Sequence, residues 1–141
     1  MISLSAFLSL DAGKNATAEA QVTMDVRVPS PLLFPAPPQV VVIPGTYVYV
    51  VPDFDMSVLF YHGSWYCPQG RQWYRAGHYN GPWKRLPPGH APQALVKLPI
   101  HFRRVPPGRY RISYRDLQAN WREWERKKHW DQDKDWQAGL K

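Results

Sequence analysis

From residue 39 onward, apolar and polar positions alternate in short runs separated by glycine, proline or a pair of turn-forming residues. Gln39 to Ile43 is rich in β-branched side chains, Pro44-Gly45 reads as a turn, and Thr46 to Val51 alternates Tyr47 and Tyr49 with Val48 and Val50. Such runs favour strands, because β-branched and aromatic side chains fit a pleated, half-buried surface. Pro52 to Asp55 interrupts the pattern. It resumes over Ser57 to Tyr61, turns at His62-Gly63, continues through Ser64 to Cys67, turns again over Pro68 to Arg71 and closes with Gln72 to Ala76. His62-Gly63 has the length of a two-residue hairpin loop. The spacing predicts an antiparallel meander of four or five strands, open or barrel-like.

The centre of this pattern is Phe60 to Trp83, where rings recur in pairs, Phe60-Tyr61, Trp65-Tyr66 and Trp73-Tyr74, with glycine in each gap. Side chains alternate along a strand, so each pair sends one ring to either face of the sheet. One face can form a core. The other has to be covered by the chain or offered to a partner. Asn80-Gly81-Pro82 reads as a further turn that folds Trp83 back over the sheet edge, and Gln93 to Leu98 has room for one or two helical turns before Pro99. Ile100 to Arg111, basic and broken by proline, reads as a loop wrapping the sheet.

The last element changes period. Ser113 is placed as N-cap with Asp116 three residues on, and Tyr114, Leu117, Trp121 and Trp124 follow at spacings of three and four. Arg115, Arg122, Arg126 and Lys127 fall largely off this stripe. The spacing predicts a helix from Ser113 to Lys128 docked on the sheet, because a helix this short is marginal unless it buries a face. The fold class expected is α+β, an aromatic-rich antiparallel meander with a C-terminal amphipathic helix. The expected division is an export-signal-like segment over 1–20, a proline-rich arm over 21–38, the meander-plus-helix domain over 39–130 and a charged tail over 131–141.

Length and proline content sharpen this picture. A chain of 141 residues suits one domain, and fifteen prolines leave room for few helices. The arm holds Pro29, Pro31, Pro35, Pro37 and Pro38, so it is expected to be extended. Net charge is +7, with −3 over residues 1–60 and +10 over residues 61–141, so any polyanion would meet the second half. A solvated surface that keeps the protein soluble is the plainer account of the same charge.

Ile2 to Leu10 is apolar and Ala18-Glu19-Ala20 has the small residues of a signal-peptidase site, which together predict export. No basic residue precedes the apolar run, as it would if the true start lay upstream of Met1. No other stretch approaches the roughly 18–20 apolar residues of a membrane span. Cys67, the single cysteine, reads as an inert buried thiol, with an intermolecular disulfide as the alternative.

Catalytic chemistry is weakly signalled. His62, His78, His90, His101 and His129 are scattered without the spacing of a metal or haem motif. Asp53 and Asp55 read as turn-formers. Asp131, Asp133 and Asp135 imitate the start of a calcium loop, but Trp136 stands where its glycine belongs. No cofactor and no metal site is expected.

The segments PPQVVVIPGTYVYVVPD, FYHGSWYCPQGRQWYRA, YNGPW and SYRDLQANWREWERKKHW resemble a group of small exported proteins of delta-proteobacteria and related envelope-bearing bacteria, over roughly residues 37–130. The shared features are matched by Pro44 to Tyr49, Trp65-Tyr66, Trp73-Tyr74, Gly81 to Trp83 and Asn120 to Arg126. The resemblance implies a fold and an exported, periplasmic or extracellular location, with no activity attached. The expected function is a non-enzymatic envelope module that holds a glycan, an envelope protein or another copy of itself, with Tyr66, Trp73, Tyr74, Arg75 and Trp83 as ligand-binding residues. Exposed rings bind partners at little entropic cost. The alternative is a single-stranded nucleic-acid or other polyanion binder that stacks bases on Tyr66, Trp73 or Tyr74 and contacts phosphates through Arg71, Arg75, Lys84 and Arg85. Export argues against nucleic acid.

Overall fold

The structure is a computed structural model that describes residues 34–99, 102 and 109–140. Six antiparallel strands follow one another in an open meander: β1 (Val41–Val42), β2 (Tyr49–Val50), β3 (Leu59–Tyr61), β4 (Ser64–Gln69), β5 (Gln72–Ala76) and β6 (Lys84–Arg85). The sheet therefore has one strand more than the sequence pattern suggested, and it does not close into a barrel. The extra strand is β6, two residues long and charged at both positions, which leaves no alternation to read. Among the described residues the sheet is accompanied by four helical pieces: α1 (Gln93–Val96), α2 (Tyr114–Arg126), a 3-10 turn (His129–Gln132) and α3 (Lys134–Ala138).

Turn chemistry sets the register. His62 and Gly63 both have positive φ, 47° and 85°, as a two-residue hairpin with the twist of its strands requires. Tyr61 then pairs with Ser64, Phe60 with Trp65 and Leu59 with Tyr66. On the next hairpin Gln69 pairs with Gln72 and Pro68 with Trp73. Proline is tolerated inside β4 because β3 pairs no further than Tyr66, so the missing N–H of Pro68 faces no partner strand.

Alternation along these strands builds two clusters, one on each face. Tyr49, Phe60, Trp65, Cys67, Tyr74 and Ala76 lie on the face that receives α2. Val41, Val50, Leu59 and Tyr66 lie on the other, where Leu95 of α1 is buried and Leu98 and Phe102 pack against them. α2 is docked as its stripe predicts. Ser113 Oγ accepts from the Asp116 N–H at 3.0 Å, Leu117 is fully buried, and Tyr114, Trp121 and Trp124 are half-buried against the sheet.

Residues on either side of the expected domain make contacts with it. The stretch expected as a solvated tail is largely exposed but is anchored to the sheet through Trp136 and the backbone at Gly139. Lys128 takes a left-handed conformation after α2, the chain turns, and the rings of Trp130 and Trp136 enter the same cluster as Phe60. Trp130 Nε1 donates to Tyr49 Oη at 2.9 Å, and Trp136 Nε1 donates to the Thr46 carbonyl at 2.6 Å. The β1–β2 turn meets the C-terminal segment backbone to backbone: a Cβ on Gly45 would lie 2.8 Å from the Gly139 oxygen, and one on Gly139 would lie 2.5 Å from Pro44. Only glycine fits either side of that contact. At the other end, Phe34 belongs to the packed structure rather than to a free arm. Its ring lies 4.8 Å from that of Phe54, and its backbone exchanges hydrogen bonds with the Asn80 side chain at 2.7 and 3.0 Å. The segment expected as an export signal, most of the expected arm and most of the loop expected over Ile100 to Arg111 lie outside the described residues.

Candidate binding face

The five residues expected to hold a ligand do not share a surface. Tyr74 and Trp83 are turned toward α2 and are 3 % and 7 % exposed, and Tyr66, on the opposite face, is 6 % exposed. Their rings are core. The reason is the alternation itself: β5 sends Tyr74 and Ala76 to the face that α2 covers and leaves Trp73 and Arg75 on the other. Trp83 reaches the covered face from the edge, and its Nε1 is buried without a hydrogen-bond partner among the described residues.

What remains accessible is a lattice of side chains on β4, β5 and β6. Tyr66 pairs with Arg75 and Arg75 with Lys84, so these three form one row across the sheet. Pro68 pairs with Trp73, and the Leu86 N–H donates to the Trp73 carbonyl at 2.8 Å, which sets Pro68, Trp73 and Leu86 in the adjoining row. Trp73 and Leu86 are half-buried, while Arg75 and Lys84 are exposed. The Arg75 guanidinium donates through Nε and Nη2 to Ser64 Oγ at 3.3 and 3.2 Å, which holds it on the sheet surface and leaves further N–H groups free to bind. Ser64, Arg75, Gly77, Pro82, Lys84 and Leu86 line an open groove of about 460 Å³ beside β6.

Arg111 pairs with Asp53 at 2.7 Å, Arg126 and Lys127 share Glu123 at 2.7 and 2.8 Å, and His62 meets Glu125 at 2.7 Å. The two cations hold the Glu123 carboxyl below the usual range. Among the described residues, no carboxylate lies within ion-pair distance of Arg71, Arg75, Lys84 or Arg85. Cations without an ion-pair partner among the described residues also occur at Lys97, Arg115, Arg122, Lys128 and Lys134, and what is particular to this groove is that two of them, Arg75 and Lys84, are cross-strand partners. Arg85 also lines the groove, but its Nε is tied to Gln72 Oε1 at 2.8 Å and it lies opposite Tyr74 rather than in the Arg75 row. Sequence reasoning named Arg75 and Lys84 but missed Ser64 and Leu86, whose roles come from cross-strand register.

Other candidate chemistry is absorbed by structure. Cys67 is fully buried and burial pushes its thiol up to about 11, which fits the inert thiol and leaves no exposed sulfur for an intermolecular disulfide. Asp131 accepts from Tyr47 Oη at 2.7 Å, and burial together with this bond pushes the Tyr47 hydroxyl up to about 12. Asp133 caps α3 by accepting from the N–H groups of Asp135 and Trp136 at 2.8 and 3.1 Å. These two carboxylates are therefore engaged in holding the C-terminal segment. No three His, Cys, Asp or Glu side chains converge among the described residues, and no helix there is long and apolar enough to cross a membrane. No protein-family model matches the chain, and neither the curated proteins nor the solved structures contain a match to it.

Proposed function

We propose that this protein is a non-enzymatic binding module of the cell envelope that holds an anionic partner on the β5–β6 face. One observation carries the reading: Arg75 and Lys84 stand opposite each other without a carboxylate among the described residues, next to the half-buried Trp73 and Leu86. Cations with an apolar neighbour are suited to a ligand that has both a charged edge and a flat face. Export is supported by the apolar Ile2 to Leu10 run, by Ala18-Glu19-Ala20 and by the resemblance of residues 37–130 to exported proteins. The non-enzymatic reading is supported by the buried, raised thiol of Cys67 and by the position of His62, whose ring stacks on Tyr61 at a hairpin tip.

The single-stranded nucleic-acid reading keeps its cations but loses two of its three stacking platforms, because Tyr66 and Tyr74 are buried and only Trp73 is half-buried. Retention of the full chain on an immobilised sulfated polyanion tests the face. Replacing Arg75 and Lys84 together with glutamine should weaken binding about tenfold or more, because hydrogen bonds to charged groups contribute roughly 1.5–3 kcal/mol each. Retention equal to that of the parent chain, with folding intact, would remove the site.

A further inference from the structure

We propose that the ligand of this face is an acidic polysaccharide, with a uronate carboxylate held between Arg75 and Lys84 and a sugar ring laid on Trp73. This rests on the β5–β6 face being the binding site. Arg75 and Lys84 are direct cross-strand partners, so their Cβ atoms are about 4.5–5.5 Å apart and their charged ends can reach one carboxylate together. Like charges placed opposite each other on a sheet are destabilising. A bound anion reverses that cost, and the Arg75 fork is already held in place by Ser64 Oγ. Trp73 lies two residues along the same strand and on the same face, about 7 Å away by strand geometry. That step lets the carboxylate meet the cations while the same or a neighbouring sugar ring covers the indole.

Shape and ring count favour a glycan over the other polyanions. The groove volume of about 460 Å³ is within the range of small-molecule clefts, and the groove runs beside the edge strand β6 as far as Leu86, whose cross-strand neighbour Trp73 lies just outside it, so that a polymer passing across the edge reaches both. A single-stranded nucleic acid is held by successive stacked bases, which requires a series of accessible rings along the cationic track. Here the two half-buried rings on the strands of this face, Trp73 and Tyr61, are separated by the row of the buried Tyr66, and Tyr74 is buried on the other face, so no continuous series of rings runs along the cations among the described residues.

Calorimetric titration of the full chain with an oligogalacturonate, with its methyl ester and with an oligothymidylate of matched length tests the assignment. The acid form should bind, and esterification should weaken it about tenfold or more, since it removes the charge that meets Arg75 and Lys84. Lys84→Gln should reproduce that loss on the acid form and have little effect on the ester. Trp73→Ala should weaken both forms, with Trp73→Phe recovering part of the loss. Equal binding of acid and ester overturns the proposal, as does binding that survives Lys84→Gln and Arg75→Gln. Tighter binding of the oligothymidylate through these residues overturns the glycan while leaving the anion-binding face in place. Failure of the oligogalacturonate to bind a chain whose retention on the sulfated polyanion depends on Arg75 and Lys84 has the same meaning.

Discussion

Trp130 joins parts of the chain that are far apart in sequence through two hydrogen bonds to neighbouring tyrosines. Its backbone N–H donates to Tyr47 Oη at 2.9 Å and its indole N–H donates to Tyr49 Oη at 2.9 Å. Tyr49 is 2 % exposed, so its hydroxyl has no solvent to turn to. Burial accordingly holds that hydroxyl well above its ordinary pKa. Replacing Trp130 with phenylalanine keeps an aromatic ring in the cluster but removes the donor to Tyr49. The expected cost is about 1–3 kcal/mol, the usual consequence of leaving a buried polar atom unpaired. Urea unfolding measures it, and a change below about 0.5 kcal/mol would show that the pair contributes no net stability.

α2 is an amphipathic helix whose stripe differs in depth from one position to the next. Leu117 is fully buried, whereas Trp121 is half-buried, stacks on His62 at 5.9 Å and carries the Arg122 guanidinium 5.0 Å from its ring centre. Leu117→Ala should therefore cost about 2–5 kcal/mol, while Trp121→Ala should cost less than the about 3–5 kcal/mol of a fully buried tryptophan. Thermal melts of the two variants check the order. A larger loss at Trp121 than at Leu117 would mean that the helix is anchored at its hairpin contact rather than at its first turn. That contact is tight: a Cβ on Gly63 would come 3.1 Å from the Trp121 ring.

At the scale of the molecule, the described residues form one sheet with a covered face and a partly covered one, and the extent of the domain follows from what completes the covers. Phe34 and Trp136, close to the two ends of the described residues, both pack with the cluster under α2. A chain that begins at residue 37 should accordingly be less stable than one that begins at 34, by about 1–3 kcal/mol for the lost ring. Ending the chain at residue 132 should cost more, about 3–5 kcal/mol, because Trp136 is 5 % exposed and its removal opens a cavity above the β1–β2 turn. Matched unfolding curves for the four chains check this. If neither truncation lowers stability, the domain is bounded by residues 39 and 130, as the sequence pattern suggested.

The meander, its hairpin at His62-Gly63, the short helix near Gln93 and the capped helix from Tyr114 to Arg126 were legible in the chain, because each is dictated by local chemistry. Strand alternation, positive-φ turn residues and a period of three to four act over a few residues, so no distant contact is needed to read them. β6, the packing of Trp130 and Trp136, and the sorting of rings into core and surface were not. β6 is held by its neighbour rather than by its own two residues, and the C-terminal rings reach Tyr49 and Thr46 across more than eighty positions of sequence. The candidate site depended most on this second kind of information. Tyr66, Trp73 and Tyr74 are chemically alike in the sequence; alternation assigns Tyr74 to one face and Tyr66 and Trp73 to the other, but only what packs over each face decides that Tyr66 and Tyr74 are buried while Trp73 is half-buried. Burial is a property of two surfaces meeting, and the sequence pattern describes one surface at a time.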